Sequence, residues 1–198
     1  MNDPDHRRRR FLYSATLGVA AIAAGAAAWP FIASLRPSAK AQLAGGPVRV
    51  NLRNIEAGAQ VTVVWRGQPV WVLRRSPEVI GRLDHEHLIA TLRDPDSTVA
   101  EQQPPYAQNR NRSIRPDVFV AVALCTHLGC VPLFRPEVGS EDLGEEWMGG
   151  YYCPCHGSRF DFAGRVTKNV PAPTNLVVPP HRFINDDILE IGVDHAAT

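Results

Sequence analysis

At 198 residues, with 44% apolar and 21% charged residues, the chain is long enough for one modest folded domain with appendages and too short for several. Its formal net charge is +1, and four Arg and two Asp in residues 1–10 leave the remainder at −1. A body that close to neutral excludes the basic surface that nucleic acid binding needs.

No charged residue occurs from Phe11 to Leu35. At 1.5 Å per residue, Phe11 to Trp29 alone would span roughly 28 Å, close to the hydrocarbon thickness of a bilayer. The pattern predicts a single-pass transmembrane anchor over 11–33, ending at the interface where Pro30 follows Trp29. Arg7 to Arg10 hold residues 1–10 on the cytoplasmic side, so everything after the span is expected in the periplasm of a bacterial inner membrane. Arg8-Arg9-Arg10-Phe11-Leu12 has the form of a twin-arginine export signal, the route of folded, cofactor-loaded proteins. The competing reading is cleavage at Ala39-Lys40-Ala41, which would release a soluble domain.

Residues 34–47 are rich in Pro, Ser, Ala and Gly, a composition suited to a flexible link. From 48 to 198 the patterns are mostly those of strands. Val48 to Leu52 alternates, and Gln60 to Trp65 with Gln68 to Leu73 reads as a hairpin around Arg66-Gly67. Ser76 as cap and Pro77 at the first position predict a helix through about Leu88. Residues 94–116 form a long polar connection, expected on the surface. Asp117 to Leu124 is a buried-type strand, and 133–148 is a second surface loop. Leu176 to Val178 and Ile188 to Val193 are late strands, the second following a turn at Asn185-Asp186-Asp187.

All four cysteines and two of the seven histidines fall in two short runs, Cys125-Thr126-His127-Leu128-Gly129-Cys130 and Cys153-Pro154-Cys155-His156-Gly157-Ser158. Each run offers one thiolate and one imidazole, Cys125 with His127 and Cys153 with His156, and Cys130 and Cys155 remain. Two thiolates and two imidazoles suit a 2Fe-2S cluster in which Cys ligands hold one iron and His ligands the other. A four-ligand structural zinc site is the alternative, and it leaves Cys130 and Cys155 without a role.

Both runs, down to Gly129, Pro154, Gly157 and Ser158, resemble those of Rieske proteins. Gly149-Gly150-Tyr151-Tyr152, the anchor and the later Pro171-Ala172-Pro173 resemble the quinol-oxidising branch, the iron-sulfur subunits of cytochrome bc complexes. The resemblance implies a mainly β fold, an antiparallel β-sandwich with two cluster-binding loops behind one N-terminal transmembrane helix. It implies one 2Fe-2S cluster held by Cys125, His127, Cys153 and His156, a Cys130–Cys155 disulfide, and a hydrogen bond from Ser158 to a cluster sulfur. Pro171 to Pro173 would form a third loop over the cluster, and 34–47 would be the hinge on which the domain moves.

In function it implies ubiquinol:cytochrome c reductase, with the cluster taking one electron from ubiquinol at a cytochrome b subunit, passing it to a membrane-bound c-type cytochrome and contributing to proton translocation in a dimeric complex. His156 would meet the quinol, His127 would be the second exposed ligand, and Leu128 would dock on cytochrome b. The alternative is a Rieske subunit of another periplasmic oxidoreductase, or a Rieske ferredoxin without quinol chemistry. Phe160 stands where many quinol-oxidising relatives have Tyr. His6, His85, His87, His181 and His195 have no neighbouring Cys and are expected to be structural or solvent-facing.

Overall fold

The computed structural model describes residues 4–36 and 45–194, and the chain divides into two units, Met1–Leu43 and Ala44–Thr198. In the first, α1 (Pro4–Ser34) is a 31-residue helix with Asp5 favouring the positive end of its dipole. Its segment Asp5–Ser34 is long and apolar enough to cross a membrane. Ser14 and Thr16 return their hydroxyl protons to the carbonyls of Arg10 and Leu12, which satisfies them without water. Pro30 does not end the helix as expected: the helix runs on to Ser34, because a proline removes one backbone bond and the turns beyond it supply their own. The last of these tighten, with Leu35 N–H on the Ile32 carbonyl and Arg36 N–H on that of Ala33. The cleavage reading (39–41), most of the expected hinge (37–44) and His195 lie outside the described residues.

Among its described residues the second unit holds three three-stranded antiparallel sheets, β1-β9-β8, β2-β3-β4 and β5-β6-β7. Their strands are β1 (Val48–Asn51), β2 (Gln60–Trp65), β3 (Gln68–Arg74), β4 (Val118–Val122), β5 (Leu133–Arg135), β6 (Gly150–Tyr152), β7 (Arg159–Phe160), β8 (His181–Phe183) and β9 (Ile188–Ile191). The middle sheet is covered on both faces, which is why β4 is apolar throughout. Val70, Val72, Val118 and Val120 pack with Val50, Leu189 and Ile191, whereas Trp71, Leu73, Phe119 and Ala121 pack with Tyr151, Phe160 and Phe162. Burying each of the larger side chains contributes roughly 1.5–3 kcal/mol. The expected hairpin has the expected register, Trp65 opposite Gln68, with Arg66 and Gly67 at φ 51° and 74° as a two-residue turn requires.

Three sequence expectations need correction. The helix from Ser76 is two helices, α2 (Pro77–Arg82) and α3 (Glu86–Thr91). The break falls where the buried Arg165 guanidinium claims the Leu83 carbonyl at 2.9 Å, next to the weak helix former Gly81. Leu176 to Val178 is extended but joins no sheet, because its backbone bonds go singly to Gly164, Val122 and Gln102.

Residues 94–116 are not a solvated loop: Ser97, Gln103, Ala107, Arg112 and Ser113 are buried. Arg112 donates to the carbonyls of Ala163, Gly164 and Gln102 and to Gln103 Oε1, and Arg75 donates to Ser113 Oγ and the Asn111 carbonyl. Finally, 133–148 is mostly exposed, as a surface loop should be, but is not without structure: it opens with β5 and carries a bridge between Ser140 and Gly144, with Trp147 buried.

Candidate metal centre

The first Cys/His run follows β4 and the second is the turn of the β6-β7 hairpin, so they leave two different sheets that share one core. The two runs fold alike. Gly129 N–H donates to the Cys125 carbonyl at 2.9 Å and Cys125 N–H to the Cys130 carbonyl at 2.7 Å; Gly157 to Cys153 and Cys153 to Ser158 repeat the pattern at 2.9 and 2.8 Å. Each turn needs a left-handed residue at its fifth position, and Gly129 (φ 79°) and Gly157 (φ 77°) supply it. Before the second run, a side chain on Gly150 would meet the Phe160 carbonyl at 2.1 Å, which explains a glycine inside β6.

The two runs meet residue against residue, each contributing one member to a thiol pair, an imidazole pair and a disulfide. Cys125 and Cys153 are free, buried thiols in contact with one another. Burial pushes the Cys153 thiol up, against the opposing pull of the Cys155 and His156 backbone N–H groups on its sulfur. His127 is half-buried and His156 exposed, and their rings meet edge to face with centroids 4.7 Å apart. Neither imidazole has a hydrogen-bond partner among the described residues. Cys130 and Cys155 are joined as a disulfide between the two runs. The sulfurs of Cys130, Cys153 and Cys155 lie within 4.8 Å of each other, but two of these are bonded together and cannot both serve as thiolate ligands.

Leu128, next to His127 in the first run, is 71% exposed. Ser158 is wholly buried and its Oγ accepts the Ala172 N–H at 3.0 Å. Its hydroxyl proton meets no acceptor among the described residues. The third loop lies against both runs, since Thr126 Oγ1 also donates to the Thr174 carbonyl at 2.7 Å. Thr126 and Ala172 carried no signal of this in the sequence, because their partners are 48 and 14 residues away. A cleft of about 560 Å³ flanks the second run at Gly157 and Phe160, but none of the four candidate ligands lines it.

The other histidines behave as expected where described. His181 is buried, with Nδ1 on the Pro179 carbonyl and its ring against Tyr106. His87 stands 3.8 Å from Glu146, and His6 and His85 are exposed.

Two uncommitted thiols, two uncommitted imidazoles and an orphaned buried hydroxyl proton fit an iron-sulfur cluster with mixed Cys and His ligands, on an antiparallel β scaffold. That combination defines the class of Rieske-type domains. Residues 47–180 match the family model described as "Rieske [2Fe-2S] domain", and residues 1–38 match "Ubiquitinol-cytochrome C reductase Fe-S subunit TAT signal". The ubiquinol-cytochrome c reductase iron-sulfur subunit of Allochromatium vinosum is 53% identical, over 96% of this chain and 90% of its own. Those of Bradyrhizobium diazoefficiens and Rickettsia conorii are 38% and 40% identical, covering 95% and 93% of this chain and 96% and 93% of theirs.

The chain belongs to the Rieske family, in its branch of ubiquinol-cytochrome c reductase iron-sulfur subunits. Its cofactor is a [2Fe-2S] cluster, and the export signal and apolar helix fit a membrane-anchored subunit of an oxidoreductase complex.

Proposed function

We propose that the chain is the electron-transfer subunit of a ubiquinol:cytochrome c reductase, taking one electron from ubiquinol at a cytochrome b subunit and delivering it to a membrane-bound c-type cytochrome. In this reading Cys125 and Cys153 hold one iron and His127 and His156 the other. What supports it most directly is that two thiols and two imidazoles meet across two loops with neither ring nitrogen pair spent on the protein. The bound cluster would supply one-electron chemistry, at a potential that neutral imidazole ligands raise.

The chain's own residues then divide the work. The Cys155 and His156 N–H groups favour the charged form of Cys153, which a metal ligand requires. Ser158 has a proton free to donate toward the cluster, because its oxygen already accepts from Ala172. The disulfide ties the two runs so that the ligands keep their spacing. His156, the more exposed imidazole, meets the quinol hydroxyl and holds its proton on a ring nitrogen, with His127 beside it. Leu128 excludes water where the loops dock on cytochrome b.

We further place the N-terminus in the cytoplasm and the domain in the periplasm of a bacterial inner membrane, with residues 1–10 cytoplasmic, 11–33 spanning, 34–47 as hinge and 48–198 as the cluster domain, in a dimeric complex. The test is the full-length chain purified from membranes. Two irons per chain and a rhombic electron paramagnetic resonance signal on reduction are expected; one zinc with no iron would overturn the ligand assignment.

A further inference from the structure

The third loop is poor in donors of its own. Pro171 and Pro173 have no backbone N–H, and the one N–H between them, on Ala172, goes to Ser158 Oγ. A segment of that kind gains most of its further hydrogen bonding from outside donors to its carbonyls. Arg93 does so on both sides of Pro171-Ala172: its Nη2 donates to the Val170 carbonyl at 3.0 Å and its Nη1 reaches the Pro173 carbonyl at 3.5 Å. The guanidinium forms no ion pair among the described residues, so these carbonyls are what it holds. Its own backbone is fixed, because Arg93 N–H bonds the Val166 carbonyl at 2.9 Å and the buried Leu92 bridges Thr167.

We propose that Arg93 is a positioning residue that clamps the Pro171–Pro173 loop against Ser158 and thereby sets the direction of the Ser158 hydroxyl proton. With the Ala172 N–H occupying one lone pair of the oxygen, the proton points away from the third loop. When the clamp loosens, Ala172 withdraws and the hydroxyl is free to turn. The inference rests on the cluster reading above, since it is toward the cluster that the proton would then point.

The experiment is a double-mutant cycle of Arg93→Ala and Ser158→Ala in the full chain, read by redox titration of the cluster and by hydrogen exchange of the Val170, Ala172 and Thr174 amides. Arg93→Ala is expected to disfavour the reduced state by about threefold, roughly 28 mV at 59 mV per tenfold for one electron, and to speed exchange in the third loop. In the Ser158→Ala background the potential should not respond to Arg93. Arg93→Lys, which keeps the charge but not the two-pronged grip, should recover only part of the exchange protection.

An equal shift in both backgrounds would mean that Arg93 acts through its charge alone, and unchanged exchange would mean that it does not hold the loop; either overturns the proposal. Absence of iron in the parent chain would instead sink the ligand assignment, and the exchange measurement, which needs no cluster, would still decide whether the clamp exists.

Discussion

Replacing Asp161 with Asn should cost this domain more than any other single exchange of two similar side chains. Asp161 and Arg165 face each other at 2.7 Å with side chains 1% and 2% exposed. Asp161 Oδ1 also accepts the N–H groups of Ala163 and Arg165, at 2.9 and 2.8 Å. The same carboxylate offsets the charge of Arg75 and Arg112, whose guanidiniums burial pushes down to about 10. Asn keeps the acceptor for the two N–H groups and removes the charge, leaving Arg165 without its carboxylate partner and Arg75 and Arg112 with only Asp117 and Asp94, respectively, to offset them.

Breaking a buried pair costs about 3–5 kcal/mol, and the retained acceptor puts Asn near the lower end. For a domain of this size, about 3 kcal/mol corresponds to a fall in Tm on the order of 10 °C. Near-UV circular dichroism of the full chain in detergent, at matched scan rates, measures it. Both arginines stay charged up to about pH 10, so the penalty should be level from about pH 6 to 8. A fall of under about 3 °C, or one that varies with pH across that range, would refute the reasoning.

Phe160 is fully buried with Cys125 and Cys153 in one core, so Phe160→Tyr should raise the potential by roughly 40 mV if its hydroxyl reaches a ligand sulfur, a net hydrogen bond being about 1 kcal/mol; an unchanged titration with the cluster intact shows that it does not. Replacing Cys130 and Cys155 by Ser opens a link across 25 residues, worth about 3.5 kcal/mol in the entropy model, and should lower the unfolding midpoint and loosen iron retention together. Arg8→Lys with Arg9→Lys should leave the domain in the cytoplasm, which fractionation would detect; normal export would exclude the twin-arginine route.

Arg135 and then Ser140 hold the Asp142 carboxyl far below the usual carboxylate range. The contribution to order in 135–147 is therefore complete above about pH 4 and is lost only as pH falls through that depressed value, so limited proteolysis of the loop beginning already at about pH 4 would contradict it.

Much of this molecule was written locally. The anchor, the hairpin from Gln60 to Arg74, the apolar strand β4, the Asx turn at Asn185 and above all the two Cys/His runs depend on periodicity, turn chemistry or ligand spacing within a few residues. Such features need no knowledge of what packs against them.

The rest was decided by partners distant in the chain. Strands β5, β6 and β8 are three residues long and β7 is two, too short to show a period, and they exist because neighbouring backbone pairs with them. The polar stretch 94–116 reads as solvated until Arg75 and Arg112 are seen to bury it, and α2 ends where Arg165, 82 residues further on, takes a carbonyl. The same holds at the centre: spacing singled out the candidate ligands, whereas the hydrogen bonds of Ala172 to Ser158 and of Arg93 to the third loop arise only where separate segments meet, because a hydrogen bond depends on distance in space and not along the sequence.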